Sequence, residues 1–286
     1  MEKFGNKLGS KLIICAALAA LVIITALLCS AFTPAVCLAY DGGDTDPGFS
    51  HGGGANPSRP PVETVVQTAY KRVLDPYAAS KIELVAFYEN KSLFANNVYV
   101  RISDPDSGEV AAVITPYQNS GYMPSLFFAD FTGAGCDQIF FSMDSGGSGG
   151  YSYNYVYDVR GGETKVIFDG SQLPSYSAEF ADGYKVEVKN YSTQKTYVAD
   201  ISDRGKDYLD GLYDENGELR ERQYASVWYT STTLPYYNPA MRKFQLMTFQ
   251  RVTGLFNADG IGNMVNLMDY RDGSFYSYFE GLMLNG

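Results

Sequence analysis

Leu126-Phe-Phe-Ala-Asp-Phe-Thr-Gly-Ala-Gly-Cys-Asp-Gln-Ile-Phe-Phe-Ser-Met-Asp-Ser-Gly-Gly-Ser-Gly-Gly150 runs directly into Tyr151-Ser-Tyr-Asn-Tyr-Val-Tyr157. A strand enters a tight glycine-containing loop at Asp130 and leaves it as a second strand. A second glycine loop then opens a third, in which tyrosines alternate with smaller residues. Alternation with period two is the mark of a β-strand, because successive side chains point to opposite faces. Apolar runs of this length bounded by glycine turns read as strand and not as helix.

The same grammar extends in both directions. Upstream, Val98-Tyr-Val-Arg-Ile102 leads into the turn Asp104-Pro-Asp-Ser-Gly108 and a strand over Glu109 to Thr115. Downstream, Lys185-Val-Glu-Val-Lys189 alternates polar and apolar residues as a strand with one wet face should, and Tyr197 to Ile201 is its expected hairpin partner. Asp182-Gly183, Asn216-Gly217 and Asp272-Gly273 supply further turns. The chain is therefore expected to be all-β. One exception is predicted. Val62, Val65, Val66, Ala69, Tyr70 and Val73 recur at the spacing of one helix face, so a short amphipathic helix ending at Pro76 should precede the strands.

A weak repeat adds an architecture. Glu83-Leu-Val-Ala-Phe87, Gln138-Ile-Phe-Phe-Ser142 and Gln245-Leu-Met-Thr-Phe249 each place a polar residue before an apolar strand, with Asp75, Asp130 and Tyr237 eight residues upstream. The intervals are 55 and 107 residues, the second near twice the first, and Asp182 opens another turn near the midpoint. Four units of about fifty residues match the blades of a β-propeller. The expectation is a propeller-like array of antiparallel sheets, with a partial propeller or a packed pair of sheets as the alternative.

The N-terminus sets the compartment. Lys3, Lys7 and Lys11 precede an uncharged run from Leu12 to Leu28, the charged and apolar regions of an export signal. Cys37-Leu38-Ala39 fits a cleavage site. An uncleaved anchor is the rival reading, since a span needs about 20 apolar residues; a lipid-modified Cys29 or Cys37 is a third. All place the body outside the cytoplasm, secreted or tethered, and touching the membrane solely through the N-terminal segment. Residues 1–39 are thus read as signal peptide or anchor, 40–61 as a Gly/Pro-rich disordered linker, and 62–286 as an extracytoplasmic β-domain.

Composition prunes the chemistry. Residues 1–39 hold three Lys and one Glu, a net +2, so the chain's −10 becomes −12 beyond them. Such an acidic body is a poor match for nucleic acid, which needs clustered Lys and Arg. His51, the single His, lies in the linker, so no folded Ser-His-Asp or His-ligated zinc site is expected. Cys136 alone remains beyond the targeting segment, which rules out an intrachain disulfide there; beside Asp137 it reads as a buried structural thiol. Ser145 to Gly150 leads into a strand with no nearby Lys, unlike a phosphate loop. No acid pair is singled out by spacing for glycoside hydrolysis. The strongest binding hint is Tyr151, Tyr153, Tyr155 and Tyr157, which share one strand face; they read as core packing or as a face for sugar or protein.

The Asp130-Phe-Thr-Gly loop resembles the calcium loop of FG-GAP and VCBS-type repeats. With Ser145-Gly-Gly-Ser-Gly-Gly150, Tyr213-Asp-Glu-Asn-Gly-Glu-Leu219 and Phe249-Gln-Arg-Val-Thr-Gly-Leu-Phe-Asn-Ala-Asp259, residues 75–286 look like a family of uncharacterised exported proteins of spore-forming Gram-positive bacteria. A working loop of the calcium kind offers oxygens at positions 1, 3, 5 and 9. Asp130 and Thr132 fill the first two, Ala134 and Gln138 stand at the others, and Asp137 is displaced by one. The resemblance thus implies a degenerate loop; no cofactor is expected, and calcium is the one ion it would suit. A non-catalytic binding or structural module of the cell envelope or spore surroundings is the expected function, with an envelope polysaccharide or protein as partner. The alternative is a carbohydrate-binding or carbohydrate-active protein using the tyrosine face and acidic residues.

Overall fold

Hairpin after hairpin builds the domain, and every strand pair is antiparallel. The computed structural model describes residues 61–89, 92–147 and 149–285; the expectations for residues 1–39 and for 40–60 of the linker lie outside them. The first sheet contains β1 (Val62–Lys71), β2 (Ser80–Tyr88), β3 (Phe94–Ser103), β5 (Gly121–Ala129), β6 (Gln138–Asp144), β7 (Ser152–Asp158) and β8 (Lys165–Asp169) in that order, with β4 (Val110–Ile114) added beside β3. The second runs β11 (Thr196–Asp200), β10 (Lys185–Asn190), β9 (Tyr176–Ala181), β12 (Tyr224–Asn238), β13 (Lys243–Thr253), β14 (Gly260–Arg271), β15 (Ser274–Leu284). One helix, α1 (Lys206–Leu212), closes the end of the second sheet.

Several predicted turns and pairs hold. β10 shows strict alternation of exposed and buried residues and pairs with β11 from Lys185↔Asp200 to Lys189↔Thr196. β14 and β15 are joined by Asp272-Gly273 with φ of 53° and 92°, the double positive φ that a tight hairpin turn requires.

The predicted helix is a strand. Residues Val62–Lys71 pair with β2 from Val62↔Tyr88 to Lys71↔Ser80. Val62, Thr64, Val65, Val66 and Thr68 are all β-branched, which disfavours helix and suits a pleated strand. A register slip between Val65 and Gln67 disturbs the alternation and produces a spacing that imitates a helical face. No core faces most of that stripe: Val62 and Tyr70 are about 60% exposed, whereas Val73, beyond the strand, is fully buried.

Nor do the strands divide into four blades. They join into two sheets, the packed pair that stood as the alternative. The first sheet curls until β1 approaches β5, where the Gln67 amide takes the place of a missing ladder rung. Its Nε2 donates to Leu126 O (3.0 Å) and its Oε1 accepts from Leu126 N (2.9 Å). Ile82, Leu84, Val100, Ile102, Ile139, Phe141, Tyr155 and Tyr157 fill the interior. The opposite faces of β6, β7 and β8 contribute Phe140, Val156 and Phe168 to a second core shared with Leu246 of β13 and Met268 of β14. Burial on both faces explains why β6 carries the unbroken apolar run Ile139-Phe-Phe141. A third core, around Val186, Val188, Leu212 and Met264, lies within the second sheet and α1.

Candidate functional site

The loop between β5 and β6 brings Asp130 and Thr132 together but arranges donors where a cation would need acceptors. Asp130 Oδ1 accepts from Gly133 N (2.7 Å), Ala134 N (3.1 Å) and Thr132 Oγ1 (3.2 Å); Oδ2 accepts from Gly135 N (2.7 Å). Gly133 and Gly135 make this possible by adopting φ of +77° and +80°. From the other side Gln138, fully buried, accepts from Phe131 N (2.8 Å) and Thr132 N (3.2 Å) through Oε1 and donates to Cys136 O (3.0 Å). Asp137 shares no hydrogen bond with Asp130 or Thr132; its backbone N–H donates to Arg72 O (2.8 Å). Calcium prefers about six to eight oxygens converging on it. Among the described residues no cluster of three His, Cys, Asp or Glu is placed to hold a metal. Cys136 is 1% exposed, and burial first, then Asp75, Asp130 and Asp158, pushes its thiol up against the opposing pull of Arg160.

The tyrosine ladder splits in two. Tyr155 and Tyr157 are buried in the first sheet's interior, where Tyr155 packs on Phe141 and Tyr157 at 6.2 and 5.9 Å between ring centroids. Burial pushes the Tyr157 hydroxyl well above the usual phenol range. Tyr151 and Tyr153 are half-buried and, with the edge of Tyr155, line a cavity of about 330 Å³. The glycine loop serves this packing: a Cβ on Gly149 would lie 2.1 Å from the Tyr151 ring, and one on Gly146 2.1 Å from the Tyr122 ring. Burial raises the Tyr151 hydroxyl, with Arg251 opposing.

A second cavity, of about 320 Å³, adjoins the first and is lined by Trp228, Tyr176, Leu173, Pro174 and Gln250. Gly170 and Ser171 line both. Gly170 N donates to Asn154 O (2.9 Å), the Thr230 hydroxyl donates to Gly170 O, and Ser171 N and Oγ donate to Asp169 Oδ1 (2.8 Å each). A Cβ at Gly170 would stand 3.3 Å from Asn154 O, a tight contact at the point where β7 and β12 approach over this turn. Across it the Tyr151 and Trp228 rings lie 6.2 Å apart, tilted by 46°.

Two amides complete the site. Asn154, 1% exposed, donates through Nδ2 to Ser152, leaving Oδ1 without a donor. Gln250, 5% exposed, donates to Pro174 O (3.1 Å) and Trp228 O (3.3 Å), leaving Oε1 in the same condition. A buried acceptor without a partner costs about 1–3 kcal/mol, and both oxygens are closed off from the surface, so a ligand hydroxyl or N–H would reach either only with a movement of its side chain. The described lining residues of the two cavities include one carboxylate, Asp169, and no Lys or Arg. Apolar ring faces, neutral amides and hydroxyls together suit a neutral, hydroxyl-rich ligand. Of the four tyrosines predicted from the sequence, two belong here. Trp228, Gln250 and Gly170 were not predicted, because nothing local marks residues that meet Tyr151, Pro174 and Thr230, 60 to 77 positions away; nor was Asn154, whose place beside Gly170 follows from the pairing of β7 and β8.

Residues 174–282 resemble the YybI C-terminal domain, the description of the family model they match. The chain is 31% identical over 160 residues to the uncharacterised protein YybI of Bacillus subtilis (strain 168), a Gram-positive bacterium. That alignment covers 55% of this chain and 61% of YybI, so the chain spans less than two thirds of its relative. No solved structure matches. The family model's span, residues 174–282, includes Trp228 and Gln250 of the second cavity, while the longer alignment to YybI, over 55% of the chain, also takes in Tyr151 and Tyr153 of the first.

Proposed function

We propose that the β-domain of residues 62–286 is a non-catalytic saccharide-binding module, exported and held or released at the cell envelope or spore surroundings. The observation that carries this is the outer half of the tyrosine ladder: Tyr151 and Tyr153 border a cavity beside a buried amide oxygen that has no donor. Tyrosine rings stack on the C–H faces of sugars while their hydroxyls remain wet. Hydrolysis of a glycoside ordinarily uses two carboxylates about 5–10 Å apart. Asp169 is the single acid among the described lining residues and already receives two bonds from Ser171, which favours binding over cleavage. The FG-GAP/VCBS-type resemblance belongs to the same proposal, with Gln138 at the ninth position of such a loop.

Co-sedimentation tests it. The full chain, carrying a C-terminal tag and recovered from medium or solubilised membranes, should pellet with insoluble envelope polysaccharide. Tyr153→Ala should weaken retention at least about fivefold without changing the melting temperature by more than a few degrees. Equal retention of the variant, or no retention of either, would sink the assignment. Release of reducing ends during incubation would instead favour the enzymatic alternative.

A further inference from the structure

The two cavities meet at a fixed ridge and not at a mobile loop. Gly170 and Ser171 form that ridge, and its hydrogen bonds to Asn154, Thr230 and Asp169 come from strands on both sides. The Tyr151–Trp228 contact bridges it, so an aromatic surface continues from one hollow into the next. Trp228 is itself held, its Nε1–H donating to Thr253 Oγ1 (2.9 Å), and is about one third exposed. Each hollow has one buried amide oxygen without a donor, Asn154 on the β7 side and Gln250 on the β13 side. The same chemical pair, ring plus acceptor, therefore stands twice in succession.

We infer that the cavities are two subsites of one groove, and that the ligand is a neutral glycan chain with one sugar unit at Tyr151–Tyr153 and another at Trp228–Gln250. This rests on the saccharide-binding reading above and adds the ligand's minimum length and charge. Two linked units bind as one molecule, so the second contact is made at high effective concentration and affinity rises steeply when the chain becomes long enough to reach it. No Lys or Arg is among the described lining residues, and Arg251, the cation felt at Tyr151, lies outside the lining, so a uronic or phosphorylated chain would bring charge into a site poorly equipped to neutralise it.

Trp228 is the single tryptophan of the chain, so its emission reports the second cavity and the ridge where its ring meets Tyr151. The full chain is titrated with N-acetylglucosamine and its β-1,4-linked dimer, tetramer and hexamer, with glucose oligomers as a second neutral series and oligogalacturonate as the anionic one. Calorimetry is run in parallel. In at least one neutral series affinity should rise about tenfold or more between monomer and tetramer, with a change in Trp228 emission that saturates at the same concentration. Trp228→Ala should reduce tetramer affinity about tenfold and the weak monomer affinity by much less, and Trp228→Phe should restore most of the loss. A monomer bound as tightly as the tetramer overturns the two-subsite groove. So does calorimetric binding that Tyr153→Ala removes without any change in Trp228 emission; in both cases single-cavity binding survives. Oligogalacturonate bound as tightly as the neutral chains overturns the charge assignment. No heat and no emission change with any glycan overturns both this inference and the reading beneath it.

Discussion

Single residues in this domain are decided by what their polar atoms find on folding. Glu83 opens one of the three apolar strands picked out by the weak repeat, yet it does not behave like its counterparts. Gln138 satisfies a loop, whereas Glu83 receives Lys81 at 2.7 Å and Arg101 at 2.9 Å. The Lys81 ammonium first, with Arg101 adding to it, holds the Glu83 carboxyl below its ordinary value of 4.5 despite burial. Because the folded value is depressed, the stability it contributes is complete above pH 4.5 and is lost as pH falls through the folded value. Glu83→Gln should cost roughly 1–2 kcal/mol in urea denaturation at pH 7. That difference should shrink toward zero once the wild-type carboxyl is protonated; a difference independent of pH from 7 to 2.5 would show that the ion pairs are not its cause.

At the scale of elements, loops and strands exchange roles with the groups that might have occupied them. The Asp130 loop is closed by four donors to one carboxylate and by the buried Gln138 amide, an interior already balanced without an ion. Millimolar calcium should therefore leave the melting temperature unchanged, since a ligand that binds the folded state must raise it. Gln138→Ala should cost about 1–3 kcal/mol by leaving the Thr132 N–H without its acceptor and the Phe131 N–H with Ala129 O alone, and calcium should not restore it. A calcium-dependent rise of several degrees in either protein would overturn this account. β1 teaches a related lesson. Its valines repeat at helical intervals, but a bulge at Val65 and an amide cross-bond from Gln67 convert that spacing into a strand that closes the first sheet toward β5. Periodicity reports a face; it does not report whether a core exists for that face to meet.

For the whole molecule the decisive contact is between the sheets. Leu246, fully buried, and Met268 of the second sheet meet Phe140, Val156 and Phe168 of the first. Leu246→Ala should destabilise by about 2–5 kcal/mol, as cavity-forming changes do. Since the core is shared, tyrosine fluorescence and far-ultraviolet circular dichroism should still give one coincident transition. Two separate transitions in the wild-type protein would show that the sheets fold independently.

The strand content, the turns at Asp182-Gly183 and Asp272-Gly273 and the β10–β11 hairpin were legible in the sequence, because each depends on neighbours within a few positions. An amphipathic strand declares itself by alternation, and a tight turn by the glycine its φ requires. What only the tertiary structure decided was the grouping of strands into two sheets, the strand at Val62–Lys71, and the division of the tyrosine ladder into a buried half and a cavity-lining half. The candidate site belongs to the same class. Ser152 reaches Ser231 across 79 residues, Gln250 reaches Pro174 across 76, and Thr230 reaches Gly170 across 60. A one-dimensional pattern records which face a side chain takes, but the partner on that face is set by how distant strands pack, and that is where the candidate site of this protein is assembled.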